Sequence, residues 1–173
     1  MLATILNRKP ATWEEASYDS QRYHLFELDV SDREYDDEIV PFRQDNLVLA
    51  KLERVQNPFQ WARFKIRKEQ KEYRNVTADV VKFYHCIHNA DLEVALEHNL
   101  DVRRYKYTTG SSHHVNSKNP KFYNTPGTAY NSNSNTDKVI LICNVLENSY
   151  SVLSSTCKDN DAEYMPIYVA HIY

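Results

Sequence analysis

Glycine is the scarcest ingredient of this 173-residue chain, which has two, Gly110 and Gly127; ordinary usage near 7% would supply about a dozen. Sites that wrap a dinucleotide need backbone that approaches the ligand closely or takes positive φ, and two glycines leave few places for that. Cysteine is nearly as sparse. Cys86, Cys143 and Cys157 are odd in number and lack metal-type spacing, so no disulfide framework is implied and free thiols in a reducing compartment are expected. Charge of one sign is also missing: 21 Lys and Arg against 24 Asp and Glu give a formal net charge of -3, which makes no case for a strongly basic nucleic-acid binder. Long hydrophobic runs are absent. The longest, Val139 to Leu146, is interrupted by Asn144 and falls far short of a membrane span, and MLATILNRKP has no apolar stretch of signal-peptide length. These absences predict a soluble intracellular protein, nuclear or cytoplasmic and without membrane attachment.

The length suits one globular domain, read as an N-terminal segment, 1–44, packed on a domain of residues 45–173. The segment Tyr23 to Leu28 alternates and predicts a short strand. The acidic cluster Asp29 to Glu38 reads as a solvated loop. From Asp45, the residues Val48, Leu52, Val55, Phe59, Ala62 and Ile66 recur at steps of four and three, the spacing of one helical face. Pro58 forbids a single helix. Asn57 is a favoured N-cap and proline fits the first helical position, so the pattern predicts one helix over 45–55 and a second over 58–74. Val80 to Tyr84 is β-branched and aromatic, a strand. Asn89 is positioned to cap a short helix to His98 with Leu92, Ala95 and Leu96 on one face. Residues 106–137, rich in Ser, Thr, Asn and His, read as long surface loops. Val139 to Leu146 has the look of a strand buried on both faces, and Ile167 to Tyr173 of a final strand. Helices and strands do not alternate regularly, so the fold class is α+β.

The passage Gln56-Asn57-Pro58-Phe59-Gln60-Trp61, followed by Phe83-Tyr84-His85-Cys86, resembles the start of the catalytic domain of the poly(ADP-ribose) polymerase family. There a helix with a similar Gln-Asn-Pro-x-x-Trp passage precedes a strand that ends in His-Gly-Thr or His-Gly-Ser. The resemblance runs over about residues 45–173. It implies an ADP-ribosyltransferase-like fold, α+β with two small, mostly antiparallel sheets and flanking helices around an NAD cleft. It also implies where that cleft would be lined. His85 matches the histidine that holds the nicotinamide ribose, Cys86 replaces the glycine whose backbone pairs with the carboxamide, and Ile87 replaces the hydroxyl residue. Aligned on Gly110, the next motif places Ser112 where the family has a tyrosine and Tyr123 at the second, stacking aromatic. Pro120 then replaces a hydroxyl residue, and a shifted alignment nominates Tyr130 for the aromatic. Val169 occupies the position of the glutamate of polymer-building members, and the nearest carboxylate, Glu163, is six residues away in sequence. Valine accepts no hydrogen bond, which argues against chain elongation.

Each hydrogen bond lost to a buried ligand group costs about 1–3 kcal/mol, so the departures imply a vestigial NAD cleft at His85, Cys86 and Tyr123 with no catalytic residues beyond the family-equivalent positions His85, Ser112 and Val169. The expectation that follows is an inactive, poly(ADP-ribose) polymerase-like module that serves as a structural or protein-interaction element and uses no cofactor. The alternative is a mono-ADP-ribosyltransferase that uses NAD to modify protein or nucleic acid. A third reading is RNA binding through the basic helix 63–74, with Arg63, Lys65, Arg67, Lys68, Lys71 and Arg74. His85, Cys86, His88 and the pair His113-His114 lack the paired spacing of zinc sites, so no metal is expected. Cys86 as a nucleophile would need a positioned base, and its neighbour His85 points to the opposite side of a strand.

Overall fold

The computed structural model describes residues 7, 9–18, 22–107, 119–148 and 154–173. The expected class, α+β, is what forms, but the two small sheets of the expectation are replaced by one seven-stranded sheet in the order β1-β2-β7-β5-β3-β4-β6, every neighbouring pair antiparallel. Its strands are β1 His24–Glu27, β2 Leu49–Gln56, β3 Asp79–His88, β4 Lys121–Tyr123, β5 Lys138–Glu147, β6 Ser155–Cys157 and β7 Tyr164–Ile172. The helices are α1 Arg33–Gln44, α2 Pro58–Tyr73, α3 Leu92–Glu97 and α4 Pro126–Asn131, with 3-10 turns at Asn89–Asp91 and Val102–Arg104.

The centre is β5, whose run Val139 to Leu146 is buried on both faces, as its continuous apolar sequence predicts. Alternation divides its side chains. Ile140 and Ile142 join Phe42, Leu52, Tyr84, Cys86 and Tyr123 under α1 on a first face, while Val139, Leu141, Cys143 and Val145 join Val55, Phe83, Ile87, Phe122 and Val169 under α3 on a second. Leu146 falls on the first face by the same alternation and meets Trp61 and Phe64 of α2. Opposite β5, the β7 ladder slips by one residue: Ile142 faces Tyr168 but Cys143 faces Pro166. The bulge puts the proline, which has no N–H to donate, where the ladder is already broken.

The predicted helix 45–55 is a strand. Leu52 and Val55 lie on opposite faces of the sheet, and a strand buried on both sides loses its two-residue alternation, so its apolar residues can fall at helical spacing by coincidence. Val48, first in that series, is 65% exposed. The second helix forms as expected, with Asn57 Oδ1 accepting from Gln60 N and Pro58 in the first turn. Its buried face is Trp61, Ala62 and Phe64 instead of Phe59, Ala62 and Ile66, and Phe59 is 45% exposed.

The acidic stretch read as a loop contains the first half of α1. Tyr35, Ile39 and Phe42 carry the helix onto the sheet, burial of each being worth about 1.5–3 kcal/mol. Its charges hid that stripe, and one of them, Glu38, is itself buried against Lys82, whose Nζ donates to both carboxylate oxygens at 2.6 and 2.8 Å. Of the loops expected over 106–137, the described residues are more regular than their composition suggests. Where described, they contain β4 and α4, and Phe122, Ala129 and Asn133 there are buried. The helix after β3 begins as a 3-10 turn capped by His88, whose Nδ1 accepts from Ala90 N, and not by Asn89. It ends at Asn99 and Leu100, both at positive φ. Leu100 takes that strained conformation while wholly buried in the second-face core, which offsets a cost of about 1–2 kcal/mol.

Candidate functional site

The cross-strand registers decide which side chains can meet. One rank of facing residues crosses the first face in the order Arg54, Tyr168, Ile142, Tyr84, Tyr123. The next rank along the strands, on the second face, runs Glu53, Val169, Leu141, His85. The sequence-derived positions are thereby divided. His85 and Val169 share a face and a rank, with Leu141 between them. Cys86 and Tyr123 lie on the other face. Ser112 lies outside the described residues.

His85 is held locally. Its ring nitrogen Nδ1 is 2.8 Å from the carbonyl of Lys121, and because a carbonyl only accepts, the proton sits on Nδ1. The rings of Phe122 and Tyr105 flank it at 5.7 and 6.4 Å between centroids. Val169 is fully buried, and Ile87 is packed into the same core. The Cys86 side chain does not enter the side occupied by His85. It lies in the first-face core, and burial pushes its thiol up to about 12, which leaves no thiolate for nucleophilic work near neutral pH. Its carbonyl oxygen, at the position where the family pairs backbone with a carboxamide, accepts a 3.3 Å bond from the Nδ2 of buried Asn133. Tyr123 packs opposite Tyr84 with Lys121 Nζ 5.2 Å from its ring centroid. Tyr130, the alternative aromatic, lies at the edge of the first-face core beneath Lys138 Nζ, 3.6 Å from its ring centroid. Pro120 is buried.

Glu163 is committed elsewhere. Its Oε1 accepts from Arg67 Nε at 3.0 Å and Nη2 at 2.7 Å, and Lys71 Nζ is 3.1 Å away. Burial works against its ionisation, but the hydrogen bonds from Arg67 and Lys71 outweigh that and hold the carboxyl below its ordinary value. The same contacts bear on the basic helix. Arg67 and Lys71 are spent on Glu163, Arg63 pairs with Asp161 at 2.5 Å, Lys68 pairs with Glu72, and Lys65 lies over the Trp61 ring.

Two clusters were not anticipated from the sequence. On the first face, Arg54 donates from Nε and Nη2 to the two oxygens of Glu34 at 2.9 and 2.6 Å, and Tyr168 donates to Glu34 Oε1 at 2.6 Å. This bidentate pair clamps α1 across β2 and β7. Burial is the largest influence on Glu34 and opposes its charge, yet the bonds from Arg54 and Tyr168 prevail and keep its carboxyl depressed; burial and the Glu34 bond together push Tyr168 far up. At the end of the second face, His171 Nε2 lies 2.7 Å from Glu53 Oε2, and Lys51 donates to Glu53 Oε1 at 2.9 Å. Glu34, Arg54 and Tyr168 in the first cluster, and His171 and Glu53 in the second, come from distant parts of the chain, so no motif signals either one.

Among the described residues no group of three or more His, Cys, Asp and Glu is placed to hold a metal ion, and no helix is long and apolar enough to cross a membrane. No protein-family model and no curated protein matches the chain.

Proposed function

We propose that the chain is a poly(ADP-ribose) polymerase-like module without transferase activity that acts by binding other proteins. The observation that carries this reading is the division of His85 and Tyr123 between opposite faces of one sheet. An NAD whose nicotinamide ribose is held by His85 on one face cannot also stack its ring on Tyr123 on the other, and these were the two ligand-binding side chains that the resemblance left in place. Two further observations support it. The Cys86 carbonyl already bonds Asn133, and Val169 at the polymerising position is sealed in the core. Loss of either the His85–ribose or the Tyr123–ring contact, at about 1–3 kcal/mol, would weaken NAD affinity by up to about two orders of magnitude. For the binding role, Tyr73, Val76, Val80 and Val81 are 90, 40, 43 and 37% exposed along the connection from α2 into β3, a run of apolar side chains the fold itself does not bury.

The test is calorimetric titration of the protein with NAD and with a nicotinamide-mimicking inhibitor, paired with thermal shift. A ligand that binds the folded state raises its stability by RT ln(1 + [L]/Kd), so millimolar ligand reports even a weak site. The expected result is neither heat nor shift. Saturable binding that disappears in His85→Ala would overturn the reading in favour of a mono-ADP-ribosyltransferase.

A further inference from the structure

Beside the end of β2, the segment around Trp13 runs past the start of α2 and encloses a half-open cavity of about 530 Å³, a volume within the range of small-molecule sites. Trp13, Tyr18 and Phe59 are three aromatic residues of its lining, Pro58 and Ala16 add aliphatic surface, and the acidic residues Glu14 and Glu15 complete it with side chains 60 and 96% exposed. The aromatic wall is held in place from behind. Trp13 meets Trp61 edge-on, with ring centroids 6.3 Å apart and 60° between planes, and the Gln56 side-chain amide lies 3.3 Å from the Tyr18 hydroxyl while its oxygen accepts from Glu14 N at 2.6 Å and its nitrogen donates to Glu14 O at 3.2 Å. Phe59 is 45% exposed on a helix that buries Trp61 and Phe64 on another side, so packing of the core does not explain an aromatic there.

The charges indicate the sign of the occupant. Among the described residues the lining has one cation, Lys9, and its Nζ is already held by Glu15 at 3.0 Å. The Glu14 carboxylate is paired more loosely, with Arg54 Nη1 at 3.8 Å, while the other two guanidinium nitrogens are bound to Glu34. Aromatic faces carry negative quadrupole potential, and their combination with a carboxylate suits a cation that is large, weakly hydrated and apolar on its surface. A bare ammonium is strongly hydrated and is better served by a carboxylate and water. A methylated ammonium group gains from both the rings and the charge. We propose that this cavity binds a methylated ammonium group, presented by a free small molecule or by a methylated lysine side chain.

The test measures calorimetric affinity of the whole chain for choline, for a trimethyllysine peptide, and for 3,3-dimethylbutanol, the uncharged isostere of choline; tryptophan emission provides a second readout. The expected result is that at least one cation binds on the order of tenfold more tightly than the neutral isostere. The tighter of the two cations identifies the source. Phe59→Leu, at an exposed position, keeps apolar bulk while removing a π face. It should lower cation affinity severalfold and leave the isostere unchanged. Equal binding of cation and isostere, no binding of either cation, or a cation affinity indifferent to Phe59→Leu would overturn the proposal.

Discussion

Glu163→Gln is the sharpest test of the physical picture. The substitution preserves side-chain shape and removes one negative charge from a site where Arg67 and Lys71 both bear on the same oxygen. Glu163 is 7% and Lys71 8% exposed, so the change leaves a guanidinium and an ammonium side by side with little water to screen them. Breaking a buried pair by removing one partner costs about 3–5 kcal/mol, and the partial exposure of Arg67 puts this case near the lower end, about 3. For a protein of this size the midpoint of thermal unfolding should fall by about 6–12 °C. Circular dichroism melts and urea titrations at neutral pH measure it. Adding Lys71→Met should recover a large part of the loss, because it removes the repelling charge and not another attraction. The pH dependence has a definite sign. The folded carboxyl titrates below its ordinary 4.5, so on acidification the unfolded chain takes up the proton first. The advantage of the native protein over Glu163→Gln is therefore complete above pH 4.5 and shrinks as pH falls through the depressed folded value. A loss under about 1 kcal/mol, the scale of exposed pairs, or further destabilisation when Lys71→Met is added to Glu163→Gln, would refute the reasoning.

Gly127→Ala should destabilise the fold by about 1–2 kcal/mol in urea unfolding, because an added Cβ would stand 2.7 Å from Asp45 Oδ2, the atom that accepts from Gly127 N at 2.6 Å. Asp45→Ala should abolish most of that increment when the two are combined. Of the three thiols, Cys157 is exposed while Cys86 and Cys143 are buried and pushed up by desolvation. A native thiol titration at pH 8 should therefore read one fast cysteine, and Cys157→Ser should abolish the fast phase.

Much of the fold was legible where local physics and tertiary demand agreed. Asn57 and Pro58 start a helix wherever they stand, since cap and ring geometry are local, and a run as apolar as Val139 to Leu146 has nowhere to go but the centre of a sheet. Legibility failed where a local pattern had two solutions. Val48, Leu52 and Val55 fit a helical stripe, but β2 buries Leu52 on one side and Val55 on the other. The acidic run before Ile39 looks solvated until Lys82, far along the chain, is placed against Glu38. The basic helix reads as a free cationic face until Asp161 and Glu163 are brought to it. In each case the missing information was long-range pairing, which composition does not encode.

The candidate site was legible up to one register. That His85 and Cys86 face apart follows from alternation alone. The face taken by Tyr123 depends on how β4 pairs with β3, and the observed ladder sets Tyr123 against Tyr84. A slip of one residue would exchange the faces of Phe122 and Tyr123 and bring the tyrosine to the side of His85. Phe122 prevents it. Its side chain is fully buried, 5.7 Å from the His85 ring and 5.1 Å from Tyr164 between centroids, and the slip would move that ring out of the second-face core while placing a hydroxyl in it. The same residue that completes the core beside His85 thus keeps Tyr123 away from it, so the separation of the two side chains is a consequence of packing and not of loop conformation.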